Sequence, residues 1–169
     1  MLNIALTNLG KYNEGELVFK WLELPVNQKE IDNTLKKIGV DGVEYEEYFI
    51  SDYETDIECL EVDEYDSVDE LNELAELLDG LDTDDMNKLS AITECEGGSI
   101  SDYINDLDDY ILYTDINSEE ELGNYWLFDS GCYEVPEFLE FYIDAEKFGS
   151  DLLMNGNGFI TSYGYIERC

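Results

Sequence analysis

Ser67-Val68-Asp69-Glu70-Leu71-Asn72-Glu73-Leu74-Ala75-Glu76-Leu77-Leu78-Asp79-Gly80-Leu81 decides how the rest of the chain is read. Val68, Leu71, Leu74, Ala75, Leu78 and Leu81 recur at helical spacing, and Ser67 with Glu70 three residues on forms a capping box at the start. The spacing therefore predicts a helix with an apolar inner stripe. Its outer face carries Asp69, Glu70, Glu73 and Glu76. Acid outside and aliphatic inside is the pattern that the flanking segments repeat.

On the C-terminal side a second helix is expected after Thr83, with Met86, Leu89 and Ile92 inward, stopped by Gly97-Gly98. A third short helix from Ser99 or Ser101 groups Ile100, Tyr103, Ile104 and Leu107. Asp82, Asp84, Asp85, Asp102, Asp106, Asp108 and Asp109 fall on the outer faces. Together these helices make a small helical module over 62–109.

Beyond it, Tyr110–Thr114 reads as a strand, and Ser118 with Glu121 opens a helix over Glu119–Phe128 whose first turn, Glu119-Glu120-Glu121, suits the positive end of the helix dipole. Pro136 stands at an expected first helical position, and Glu137–Phe148 reads as one or two helices broken near Asp144. Two short strands, Phe159–Tyr163 and Tyr165–Glu167, close a small α+β unit over 110–169.

On the N-terminal side, residues 2–8 and Glu16–Leu24 form a hairpin through the loop Gly10–Gly15. Asn27 and Glu30 cap a helix with Ile31, Leu35 and Ile38 inward, and Glu46–Tyr53 is a third strand. The expected architecture is α+β: an elongated chain of three small domains, 1–61, 62–109 and 110–169.

Charge sets the function classes. The chain carries a formal net charge of −35, and Val40–Glu167 holds 38 Asp and Glu against Lys88 and Lys147 alone. The first 39 residues hold five acids and five lysines. Solubility needs a net charge of only about 2–8 on a small domain, and crowding more costs self-repulsion. A disordered acidic tail is excluded by the 13% aromatic content. The general acidity of a salt-adapted proteome stays open, although it predicts acid throughout rather than a neutral beginning.

Catalytic chemistry finds little support. The chain has no histidine, which excludes Ser/His/Asp and Cys/His catalysis. Cys59, Cys95, Cys132 and Cys169 form no CxxC and read as thiols rather than a zinc site. Asp79–Asp85 lacks the central Gly and closing Glu of a calcium loop, and Gly156/Gly158 is an isolated GxG with no lysine. No enzyme activity, cofactor or metal is expected. With no apolar run of 18 residues and no basic leader, the chain reads as cytoplasmic and not membrane-bound.

B-DNA carries about one charge per 1.7 Å of axis, so ~36 charges match roughly 60 Å of duplex, about 18 base pairs. Direct nucleic-acid binding is opposed by such a surface, whereas a basic DNA-binding groove is matched by it. The expected contact residues are the acids named above, with Asp115, Glu119, Glu120, Glu121, Asp129 and Glu134 added. An acidic adaptor for another basic, DNA-binding protein is the alternative.

Specific blocks also carry a resemblance. Asn8–Leu17 (NLGKYNEGEL) with Trp21 and Pro25, Glu46–Glu54 (EEYFISDYE) and Tyr142–Leu152 (YIDAEKFGSDL) resemble the ArdA antirestriction proteins over essentially the whole chain. The resemblance implies a DNA-mimic, three-domain homodimer of mobile genetic elements that occupies the DNA site of type I restriction-modification enzymes. The family's antirestriction motif falls on Leu122–Pro136, where Leu122, Gly123, Tyr125, Val135 and Pro136 match. Trp126–Phe128 is more apolar than the family's usual acidic form, and Ala145 and Ser150 stand where an aromatic residue and an Arg are expected. That apolar middle points to packing or dimerisation.

Overall fold

The computed structural model describes residues 1–169, a mixture of helices with two antiparallel three-stranded sheets. The chain divides into two compact units, Met1–Leu81 and Asp82–Cys169. The helices that the sequence groups over 62–109 fall on both sides of that division.

In the first unit, β1 (Leu2–Asn8) is the central strand, between β2 (Phe19–Leu24) and β3 (Tyr48–Thr55), both antiparallel to it. Register places Leu2, Ile4 and Leu6 on one face with Leu22, Leu24 and Ile50. Central position explains why β1 is buried along nearly its whole length on both faces. A bulge against β3 between Ala5 and Leu6 leaves Ser51 without an opposite residue. Its hydroxyl shares a hydrogen bond with Thr7 Oγ1 at 2.7 Å.

The hairpin is as expected, but its loop contains a helix, α1 (Leu9–Asn13). Asn8 explains it. Its Oδ1 accepts from the Lys11 amide at 2.9 Å, and its Nδ2 donates to the Ile38 carbonyl at 3.1 Å. One buried side chain thus caps α1 and ties it to the end of α2 (Gln28–Lys37). Gly10 leaves room for the Tyr45 ring, from which a β-carbon there would stand 2.3 Å.

The Ser67 stretch is helical as read, forming α3 (Val68–Asp79) with Ser67 as N-cap. Val68, Leu71, Leu74, Ala75 and Leu78 are buried, while Leu81 lies past the helix end at Gly80. Asn72, on the same face, accepts from the Val26 amide at 2.7 Å and so ties α3 to the residues after β2.

In the second unit, β6 (Gly164–Arg168) is central, flanked by β4 (Tyr110–Tyr113) and β5 (Gly158–Thr161). α4 (Thr83–Glu96) lies against all three strands, and Tyr110 donates to Glu96 at 2.9 Å on that face. The other face presents Tyr113, Tyr165 and Ile160 to Leu122, Tyr125, Trp126, Leu152 and Leu153. Those come from α6 (Glu119–Asn124), the π-helical turn Tyr125–Asp129 that continues it, and α8 (Ala145–Asn155). The short α5 (Ile100–Tyr103) and α7 (Glu137–Glu140) complete the set.

Strand ends shift by up to three residues from expectation, and three helix boundaries of the second unit also differ. The helix over 119–128 is α-helical only to Asn124, then widens into the π turn, where Leu127 is buried and the Ser130 amide reaches back to the Tyr125 carbonyl at 2.7 Å. α8 runs on to Asn155, well past Phe148, because Leu152 and Leu153 join the core. Pro136 precedes α7 as its cap position. No helix is long and apolar enough to cross a membrane.

Candidate partner-binding surface

A carboxylate folds into a protein only where water, a donor or a cation stabilises it. With 43 acids and eight bases, most of the acids here have water alone. None of them is buried: 39 are exposed, and Asp66, Asp85, Glu119 and Glu167 are half-buried. The acidic surface is therefore spread over both units, with 22 acids and five bases in residues 1–81 and 21 acids and three bases in residues 82–169.

α3 shows how the fold spaces them. Asp69, Glu70, Glu73, Glu76 and Asp79 are all exposed on a helix of twelve residues. At 1.5 Å of rise per residue that is one charge per about 3.6 Å of axis, close to the ~3.4 Å of a single DNA strand.

In the second unit Asp82, Asp84, Asp102, Asp106, Asp108, Asp109, Asp115, Glu120, Glu121, Asp129 and Glu134 are exposed, with Asp85 and Glu119 half-covered.

Several of these acids also hold the fold. Asp82 caps α4, one oxygen accepting from the amides of Asp84 and Asp85 at 2.9 Å each. Asp102 accepts from Ser99 N at 2.9 Å and completes the capping box of α5. Glu121 reaches one residue beyond the expected box, to the Asn117 amide at 2.7 Å, while Ser118 caps Glu121 N at 3.2 Å. Asp109 pairs with Arg168 at 3.2 Å, and Asp85 stands 4.0 Å from Lys88.

α2 satisfies helix polarity at both ends, with Glu30 in its first turn and Lys36 and Lys37 in its last, but the later helices satisfy it at one end only. Acids occupy the first turns of α3, α4, α5, α6 and α8, where the dipole favours them, and none of these helices has a basic residue in its last turn.

The acids between Asp41 and Asp66 are absent from the contact residues expected from the sequence, although the charge count from Val40 onward includes them. Every acid in this run except Asp66 is exposed. Asp41 accepts from the amides of Val43 and Glu44 at 2.9 and 3.0 Å, which holds its carboxyl below the usual range. Asp56 is paired with the N-terminal ammonium, which lowers its pKa, beside an open cleft also lined by Glu23, Glu30 and Asp79. No group of three or more Cys, Asp or Glu side chains is arranged to hold a metal ion.

The motif-matching residues have a different character. Leu122 is fully buried against Ile116 and Tyr165, and Gly123 is buried between α6 and α8. Tyr125 and Val135 are half-buried, and Pro136 is exposed. Trp126 packs on the core of the second unit. Phenols cluster beneath: Tyr113 and Tyr165 both donate to Glu167, at 3.2 and 3.0 Å. Burial first, and then the Glu167 charge, push the Tyr113 phenol up to about 12. Burial and the Glu96 hydrogen bond push Tyr110 to about 12 as well.

The model of the antirestriction protein (ArdA) family matches residues 4–167. No curated protein matches the chain.

Proposed function

The chain belongs to the ArdA antirestriction protein family, and on that premise we propose that it inhibits type I restriction-modification enzymes by occupying their DNA-binding site as a charge mimic of duplex DNA. The observation that carries this reading is that not one of the 43 acids is buried, and that 26 of them ride on helices or strands. Residues 1–81 carry a net −17 and residues 82–169 a net −18. Each equals the charge of roughly 30 Å of duplex. A groove built to neutralise phosphates meets the same density of negative charge, held by folded elements rather than by a floppy tail.

The mechanism needs no bond chemistry. Basic side chains of the target displace the cations held around the carboxylates and shed their own anions into solvent, association is steered at long range, and both effects weaken with salt. The protein itself stays off nucleic acid because its surface repels phosphate.

The test is direct displacement. A labelled duplex bound to a type I methyltransferase should be released stoichiometrically as the protein is titrated in at low salt, and direct binding of the protein to the methyltransferase should weaken by an order of magnitude or more between about 50 and 200 mM NaCl. Retention of the duplex at low salt would sink the reading and favour an adaptor for some other basic protein.

A homodimer belongs to the same proposal, with its contact in the C-terminal residues 110–169. Supporting it, Phe138, Phe141 and Tyr142 are 74%, 93% and 81% exposed in the single chain. Sedimentation should give twice the 19.4 kDa chain mass for the wild type, and the single-chain mass for Phe141→Ser with Tyr142→Ser.

A further inference from the structure

Gly123 and Gly149 stand where α6 and α8 touch. A β-carbon at Gly123 would lie 1.8 Å from the Ala145 carbonyl oxygen, and one at Gly149 would lie 1.8 Å from that of Glu119. Both obstacles are backbone, so no side-chain rotation relieves them. Neither glycine has a positive φ, so the requirement is for space rather than for a left-handed conformation.

No side chain stands between the helices at this crossing, and the peptide groups themselves set the separation. Widening the crossing moves whatever α8 carries relative to whatever α6 carries. Glu119 and Glu120 ride on one helix, Glu146 and Asp151 on the other. Leu122 and Gly123 are themselves buried, so neither presents a surface to any partner.

We infer that Gly123, with Gly149 opposite, is a positioning residue for antirestriction: it sets how closely α6 approaches α8, and so the arrangement of the carboxylates that the two helices carry, without touching the target. The inference rests on the charge-mimic reading above. It turns the Leu122-Gly123 match into a requirement for backbone approach.

The experiment compares Gly123→Ala with the wild type in the methyltransferase displacement assay, at a temperature where circular dichroism shows both folded. The substitution leaves the charge at −35. Expected are a weakening of about fivefold or more and a salt dependence shallower by about one to two ions, neither of which a lower melting temperature alone produces. A folded Gly123→Ala that displaces DNA like the wild type, with the same salt slope, overturns the inference.

If Gly123→Ala does not fold, Gly149→Ala on the facing helix decides with the same two readouts. A folded Gly149→Ala with wild-type displacement and salt slope overturns the inference, and so does failure of both variants to fold, because the glycines then serve stability alone. Failure of the wild type itself to displace DNA would count against the mimic reading, whereas a wild-type success with an unaffected Gly123→Ala counts against this inference alone.

Discussion

Asn8 is a residue whose local chemistry reaches well past its own turn. Its amide is buried, caps α1 at Lys11 and holds the Ile38 carbonyl. Asn8→Ala leaves that carbonyl and the Lys11 amide without their partner and should cost about 1–3 kcal/mol in urea unfolding. Tyr110 and Tyr113 set an alkaline limit. Their folded pKa values near 12 lie above the ordinary 10, so their protonated phenols contribute stability in full below about pH 10. That contribution is lost as pH rises from 10 to 12. Unfolding followed by circular dichroism should show a loss of stability in this window, and Tyr113→Phe should make it shallower.

At the scale of elements, the helices from α3 onward combine a strong start with a weak finish. Asp82 caps α4 through two amides, so Asp82→Ala should lower stability by about 1 kcal/mol even though it removes one unit of repulsion. At the other end, Glu94 of α4 accepts from the Ser162 amide at 3.0 Å and from its hydroxyl, holding the turn between β5 and β6. An acid in an unfavourable place on the dipole is thus offset by a tertiary hydrogen bond. The amphipathic stripes of α2, α3 and α4 were legible because their aliphatic spacing is helical. The π turn at Tyr125–Asp129 was not, since it goes with the packing of Tyr125 and Trp126 on the Leu122–Tyr165 core, a contact between residues far apart in the chain.

For the whole molecule, repulsion among like charges adds to the conformational entropy that opposes folding. Screening shortens from about 10 Å at 0.1 M salt to about 3 Å at 1 M. The melting temperature should therefore climb with NaCl, by several degrees over that range, because repulsion among 43 acids is relieved while the apolar cores are unaffected. Target binding should fall over the same range, which separates the two roles of the charge. Replacing one acid, as in Asp106→Asn, should change displacement by less than about twofold, because the field is a sum over many groups. A single acid whose loss abolished inhibition would argue for a specific contact instead.

The acidity, the alternation of strands and capped helices, and the hydrophobic faces were determined by the sequence itself, because charge is additive and periodicity is local. So were the family blocks, which need only residue identity. What tertiary structure decided is which of these residues are display and which are framework. Asp82, Glu94, Asp102 and Glu121 look like surface acids in the sequence and serve as caps and ties in the fold. Leu122-Gly123 is a family-motif match in the sequence and a helix crossing in the fold, since burial and backbone approach depend on partners far along the chain. The Ser67 helix lies between both cases: its apolar stripe was visible from spacing alone, but only the Asn72–Val26 hydrogen bond shows that it belongs with the first sheet, because a helix's partner is chosen by long-range packing.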